Sequence, residues 1–540
     1  MVLRAFAIKS LIGPIRATFR AAARVGTFGP KVCLGERLEV DGVSRGSARF
    51  DSSVRIVPAN VSRTNPMARY KTVIHWFRRD LRLSDNVALA QAVVDAEEVV
   101  PVYIASTWKG RHVWTGPGRQ AFLCGCLESL AANLAHAGGR LLFRRGVAIA
   151  ELEKLIRESG AEAIYLNRDP DPYGREMEKA VRELCREFGV GFHDFQDAVL
   201  HEPHEVLTGS GNPYKVYTPY SKNWFTLKKN DPVPTVRALR TPSGLAAGEA
   251  PVLGDWGLTL AHPLVVEPGE KAARTRLKKA VESAIGAYAE TRNDPAADAT
   301  SHLGPDLRYG TISVREVFHR SHEALTHAST AAERTSIQAF QKQLAWREFF
   351  MAILHHFPEV LETDFNPDWR GLAWDDPDKD DKFERWKSGR TGFPIVDAGM
   401  RQLLETGYMH NRVRMITAMF LTKDLHLHWR HGESHFMQHL LDGEIANNNG
   451  GWQWSAGTGA DAAPYFRIQN PWTQTATYDA QGEYIKRWLP ELAKVDPKRF
   501  QSAPEGGARL CADYVAPLVD HKTERDETLA RFKRHRGAGE

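Results

Sequence analysis

One stretch, Asn447-Asn448-Asn449-Gly450-Gly451-Trp452-Gln453-Trp454, followed by Asp461, Pro464, Tyr465, Phe466 and Arg467, gathers amides, glycines, indoles, a carboxylate and a guanidinium. Amides both donate to and accept from the edge of a planar heteroaromatic ring, glycines permit close backbone approach, and indole faces stack on π systems. That mixture suits the floor of a flavin site beside a nucleic-acid pocket. A tryptophan-rich turn in a core uses many of the same residue types, so the stretch alone leaves both readings open. A second cluster has helical spacing: Gln343, Trp346, Arg347 and Phe350 fall at i, i+3, i+4 and i+7 and share one face. Such a face fits a surface that stacks a base and neutralises a phosphate. An amphipathic helix with Trp346 buried and Arg347 reaching outward is the plainer alternative. His431, His435 and His439 would also share a helical face. No carboxylate or cysteine set completes a metal site there, so surface histidines and no metal are expected.

Positioning these residues needs more than one core, since 540 residues exceed the size at which a single core suffices. With 42% hydrophobic and 25% charged residues and no apolar run long enough to cross a bilayer, the chain reads as soluble and globular. Cys33, Cys124, Cys126, Cys185 and Cys511 form no CxxC pair, which favours a reducing compartment and a cytoplasmic location. The net charge of +5 misleads, because residues 1–66 hold 11 Lys/Arg against 4 Asp/Glu. A nucleic-acid surface must then be a local basic patch. Residues 1–66 read as a basic extension without a catalytic role: sequence upstream of the functional start, a disordered arm, or a transit peptide.

From residue 73 onward, apolar runs at 73–77, 99–105, 140–143, 163–166 and 191–195 alternate with amphipathic stretches such as 120–135 and 174–188. This alternation predicts an α/β domain over residues 67–200 with a parallel sheet covered on both faces. No GxGxxG follows the first strand. It runs instead into Arg78-Arg79-Asp80-Leu81-Arg82, which fits a solvated loop with a helix cap at Ser84 or Asp85 at least as well as a ligand role. Residues 201–275 are rich in Pro and Gly and read as an interdomain connection. Residues 276–540 read as an all-α domain, with helical spacing at 334–357, 395–405, 413–425 and 433–441.

The chain resembles the DNA photolyase/cryptochrome family from Met67 to about Lys533. The resemblance rests on Trp76-Phe77-Arg78-Arg79-Asp80-Leu81-Arg82, Trp346-Arg347-Glu348-Phe349, Gly392-Phe393-Pro394-Ile395-Val396-Asp397-Ala398, Met409-His410-Asn411-Arg412-Val413-Arg414-Met415, Leu441-Asp442-Gly443-Glu444 and the Asn-rich stretch. Within the family it is most similar to microbial cyclobutane pyrimidine dimer photolyases. The resemblance implies a Rossmann-like antenna domain followed by a helical domain that binds FAD. It also implies light-driven electron transfer from reduced FAD to a flipped-out dimer, a carbon–carbon lyase reaction needing neither general base nor nucleophile. The expected substrate is ultraviolet-damaged DNA, bound by a monomer without an obligate protein partner.

By position, the resemblance implies that Tyr288 and Thr300-Ser301-His302-Leu303-Gly304 grip the FAD phosphates, with Gly304 standing where serine is usual. Asp442, Gly443 and Glu444 would meet the cofactor, with Arg414 paired to Asp442 and Asn448 facing flavin N5. Trp346 and Trp454 would flank the dimer, with Gln343, Arg347, Phe350, Asn411 and Met415 beside it. Arg292, Arg412, Arg467 and Gln474 would meet DNA. Gln343 replaces a usual Glu, so it can donate to the dimer but cannot share a proton with it. Trp452, Trp429 and Trp374 match the tryptophans that reduce the flavin in light. For a second, antenna chromophore, methenyltetrahydrofolate or a deazaflavin, Asn167, Asp171 and His112 are the candidate contacts. The competing expectation is a blue-light receptor that repairs nothing.

Overall fold

Val73, Ile74, Trp76 and Phe77 are all buried, so the strand that carries them must be covered on both faces. In the computed structural model, which describes residues 68–537 apart from 107–111, 113, 298 and 463, this strand is the centre of a five-stranded sheet. The strands are β1 (Tyr70–Phe77), β2 (Ala96–Ala105), β3 (Leu142–Arg145), β4 (Ala163–Asn167) and β5 (Gly191–Phe195), in the order β3-β2-β1-β4-β5. All four pairings are parallel, and Val73 lies opposite Val99 on one side and Ala163 on the other. Parallel neighbours require crossovers. These are α1 (Val87–Asp95), α2 (Pro117–His136), α3 (Ala148–Ser159) and α4 (Pro172–Phe188). The five apolar runs of the sequence thus became the five strands. The basic extension at residues 1–66 lies outside the described residues.

The charge cluster after β1 is not a solvated loop. Asp80 and Arg82 are 2% and 1% exposed. Arg82 donates to Asp197 at 2.6 Å and to the carbonyls of Ser84, Asp85 and Gly310. Arg315, from the helical region, shares Asp197 and closes on Asp85 at 3.0 Å. Neither Ser84 nor Asp85 caps the following helix. That part falls to Asn86, whose side chain accepts from the Leu89 N–H at 3.1 Å. Buried charge survives here because each ion meets an opposite partner and main-chain acceptors.

The stretch read as a connection holds α5 (Tyr217–Thr226), which buries Tyr217, Tyr220 and Trp224. It also straps the sheet: Val99 N–H donates to Arg240 O, and Phe143 N–H to Ala247 O at 2.7 Å. Beyond it, the site is built from α6 (Ala331–His356), α7 (Pro394–Thr406), α8 (Asn411–Met419), α9 (Trp429–His439), α10 (Ile445–Ala456), α11 (Pro471–Tyr478) and α12 (His521–Gly537). The Asn-rich stretch is helix α10, although two glycines interrupt it. At Gly450 a Cβ would stand 2.1 Å from the Phe350 ring, so the glycine lets α6 and α10 meet closely.

Candidate active site

Asp442, expected to meet the cofactor, is firmly held. Its carboxylate receives both arms of Arg414 at 2.9 and 3.2 Å, while Arg414 Nε donates to Met409 O at 2.7 Å. Burial works against the guanidinium, but Asp442 outweighs it and raises the Arg414 pKa. Gly304 abuts the same carboxylate. A Cβ there would lie 2.7 Å from Asp442 Oδ2 and 2.8 Å from Asp442 Cβ. In the preceding turn His302 has φ 51°, a left-handed conformation uncommon outside glycine. Its ring lies 4.9 Å from that of Tyr408, whose hydroxyl is 3.2 Å from the Thr300 hydroxyl. Ser301 Oγ accepts from the Leu303 N–H at 3.4 Å, Leu303 is buried, and Tyr288 is half-buried, edge-on to Phe340.

Asn448 donates Nδ2 to Glu433 O at 3.0 Å, leaving its amide oxygen available as an acceptor. Glu433 itself is buried, and burial pushes its carboxyl up to about 7 against the opposing hydrogen bond from Asn449. A clamped carboxylate, an amide oxygen, hydroxyls and a strained turn fit the ring and phosphates of FAD. Buried His410 Nε2 and Trp452 Nε1 have no partner among the described residues, as expected beside a ligand site.

On α6 the face read from the sequence is half-exposed at Gln343, Trp346, Arg347 and Phe350, while Gln341, Leu344, Ala345, Glu348 and Phe349 are buried. Trp346 stacks on Tyr217 at 3.6 Å with the planes 9° apart. Trp454 is half-exposed on α10, and Asn411 is exposed with its Nδ2 3.9 Å from Met415 Sδ. Gln343 Nε2 donates to Ala339 O at 3.1 Å. Arg412 donates to Asn293 at 2.8 Å and lies 4.5 Å from the Tyr478 ring centroid. Arg292 Nε and Gln474 Oε1 are buried without partners among the described residues, and Arg467 is exposed.

The three tryptophans grade from interior to surface. Trp452 and Trp429 are buried and Trp374 half-buried. A Cβ at Gly432 would sit 2.0 Å from the Trp452 ring, so Trp452 rests on α9 one turn beyond Trp429. Trp429 Nε1 donates to Asp364 at 2.8 Å. The His428 ring lies 5.2 Å from Trp429 and 5.4 Å from Trp374. Sequence reasoning missed His428 and also Trp386, which stands 6.0 Å from Trp452.

Several expected contacts go elsewhere. Arg347 donates to Ala198 O at 2.8 Å and Leu307 O at 3.4 Å, so main-chain carbonyls take the guanidinium meant for a phosphate. Glu444 pairs with Arg79 of the α/β domain. Burial alone would raise its carboxyl, but Arg79, Arg308 and Arg347 outweigh burial and hold it down at about 2. Gly443 O accepts from Arg308 Nε at 3.0 Å. Among the antenna candidates, Asn167 donates to Asp80 and Asn86 and accepts from the Ala88 N–H, which occupies both ends of its amide. Asp171 caps α4 at Gly174 N–H, and burial beside Asp169 pushes its carboxyl up to about 7. His112 Nδ1 accepts from the Trp114 N–H, next to residues outside the described set. The three histidines are not all at the surface: His435 is buried, 4.5 Å from the His439 ring, and no group of three or more metal-ligating side chains occurs among the described residues.

Tyr217 and Tyr478 are the clearest omissions of the sequence reading. Tyr217 had no visible signal, because proline-rich surroundings hid its helix. Tyr478, one turn after Gln474 on α11, is found only through the cation it covers.

The fold and site fit a two-domain FAD-binding protein, and known proteins agree. The pattern described as DNA photolyase matches residues 73–238, and that described as the FAD binding domain of DNA photolyase matches residues 340–534. A deoxyribodipyrimidine photo-lyase of Synechococcus is 40% identical over 477 residues, 86% of this chain and 97% of that protein. A class III photolyase structure from Agrobacterium tumefaciens has TM-score 0.80 at 37% identity, covering 91% of this chain and all of that one. An archaeal photolyase from Sulfolobus tokodaii, solved with two FAD molecules, has TM-score 0.73 at 29% identity, covering 86% and 100%. A Synechocystis cryptochrome has TM-score 0.77 at 26% identity, covering 85% and 99%. The chain belongs to the DNA photolyase family.

Proposed function

We propose that the protein splits cyclobutane pyrimidine dimers in ultraviolet-damaged DNA, using light and bound, reduced FAD. The observation that carries this reading is that one 12-residue helix, α10, bears Asn448, Trp452 and Trp454. A cofactor-facing amide, a redox-active indole and a lesion-flanking indole are thereby fixed within about 9 Å of axial rise along one rigid element. Reduced FAD, when bound, supplies the light-driven electron. The chain's own residues do the rest. Arg414 and Asp442 would orient the ring edge, Thr300, Ser301, His302, Leu303, Gly304 and Tyr288 would hold the phosphates, and Asn448 would offer its amide oxygen as an acceptor to the flavin. Trp346, Trp454 and Met415 receive the flipped dimer, with Asn411 and Gln343 beside it. Arg292, Arg412, Arg467 and Gln474 meet the strand. Extruding the lesion costs roughly a few kcal/mol, less for a damaged pair than an intact one, which favours damage.

A second, light-gathering chromophore belongs to the same proposal, supported by the archaeal relative described as holding a second FAD as a light-harvesting cofactor. Methenyltetrahydrofolate and a deazaflavin are the other candidates, and extraction of the purified chromophores identifies which is present. The central test illuminates reduced protein with an oligonucleotide carrying one thymine dimer and follows loss of the dimer. Repair is expected. No repair with reduced FAD bound would overturn the proposal in favour of a light receptor.

A further inference from the structure

The loop that leaves the lesion wall is held at its far end by the last helix of the chain. Tyr465 stacks on Phe532 of α12, with centroids 5.1 Å apart and planes 11° apart. Trp369 closes the group, 4.9 Å from Phe532 and 5.6 Å from Tyr465. Arg536 lies over both Trp369 and Tyr465, at 4.8 and 4.9 Å. At its near end the loop is tied to the pocket, for the Asp461 carboxylate faces the backbone N–H of Tyr217, the residue stacked on Trp346. Immediately after Tyr465 the chain presents Phe466, 61% exposed, and Arg467, also exposed. A large exposed ring next to an exposed cation on an otherwise pinned loop is a surface made for a nucleic-acid strand rather than for solvent.

We propose that Phe532 and Arg536 are positioning residues for DNA recognition, holding the loop of residues 464–467 in its binding conformation through Tyr465. This inference rests on the DNA-repair reading above. The helix is itself fixed at points remote from the loop: Arg531 grips Asp375 at 2.7 Å, and Thr528 Oγ1 donates to Lys423 O at 2.6 Å. Helix α12 therefore offers Tyr465 a rigid surface. A loop ordered before binding loses less conformational entropy when a strand arrives.

The test compares full-length wild type with Phe532→Ala, Arg536→Ala, Arg536→Lys and Tyr465→Leu, all loaded with FAD. Affinity is measured for a duplex with one thymine dimer and for the intact duplex across a salt series, together with repair of an isolated dimer dinucleotide. Arg536 is exposed, so its removal leaves the fold intact even where Phe532→Ala does not. Expected are about tenfold weaker binding to the damaged duplex for Arg536→Ala and Tyr465→Leu, recovery in Arg536→Lys, an unchanged salt slope, and unchanged dinucleotide repair. A salt slope lower by about one in Arg536→Ala, with Tyr465→Leu like wild type, would make Arg536 a simple phosphate contact and overturn the proposal. Wild-type affinity in Arg536→Ala and Tyr465→Leu would overturn it too. Wild type without preference for the damaged duplex defeats the repair reading instead, so the two failures are distinguishable.

Discussion

Restoring the serine that the family usually carries at position 304 should weaken cofactor binding here, not strengthen it. The hydroxyl is a further donor to a phosphate, and from sequence alone Gly304→Ser looks like a repair of a missing contact. The structure opposes this. The new Cβ would lie 2.7 Å from Asp442 Oδ2, 2.8 Å from its Cβ and 3.2 Å from its Cγ, against an ordinary separation of roughly 3.4 Å or more. Asp442 must therefore retreat by about half an ångström. It is not free to do so, because Arg414 holds both its oxygens and is itself held by Met409 O. Overpacking of this kind costs about 1–3 kcal/mol, which is roughly five- to a hundredfold in affinity. The assay is the FAD dissociation constant of apoprotein reconstituted with FAD, followed by flavin fluorescence, with Gly304→Ala as the control that adds the Cβ without the hydroxyl. Gly304→Ser binding FAD as tightly as wild type or more tightly, with Gly304→Ala unchanged, would refute the packing argument.

Trp429→Phe should suppress light-driven reduction of bound oxidised FAD while chemically reduced protein still repairs dimers. Because the Asp364 carboxylate loses the Trp429 N–H, it should also cost about 1–3 kcal/mol in urea unfolding. Glu433 supplies a pH dependence. Its carboxyl is raised from 4.5 to about 7 in the folded protein, mainly by burial, so the native state holds a proton that the unfolded state releases. Its contribution to stability is complete below pH 4.5 and is lost as pH rises through 7, to a total of about 3 kcal/mol. Glu433→Gln should flatten that part of the profile between pH 4.5 and 7; an unchanged profile would show that Glu433 is ionised throughout.

The sheet was legible because a parallel strand buried on both faces leaves a nearly continuous apolar run, unbroken at residues 163–166 and interrupted only by His75 at residues 73–77. The Asn-rich helix stood out because its residue types are costly elsewhere, two indoles and four amides within eight positions, whereas the pairing of Arg414 with Asp442 followed from the family resemblance and is present as an ion pair. Arg347 and Glu444 misled for the opposite reason. Charged side chains look alike in sequence whether they face a ligand or a carbonyl of another segment, and only the fold shows Arg347 turned toward Ala198 and Glu444 toward Arg79. The buried Arg82 was read as solvated on the same ground. Tyr217 escaped because its partner is 129 positions away in sequence, and a stacking pair leaves no local period.

The seam of buried ions between sheet and helices bears on how the molecule works. Opening it would break Arg79–Glu444, Arg315–Asp85 and Arg315–Asp197, which cross from the sheet to the helices, whereas Arg82–Asp197 and Arg79–Asp169 lie within the sheet domain and would persist. A joint closed by several ion pairs at once favours a platform that meets its strand already formed, against which it is the nucleic acid that bends.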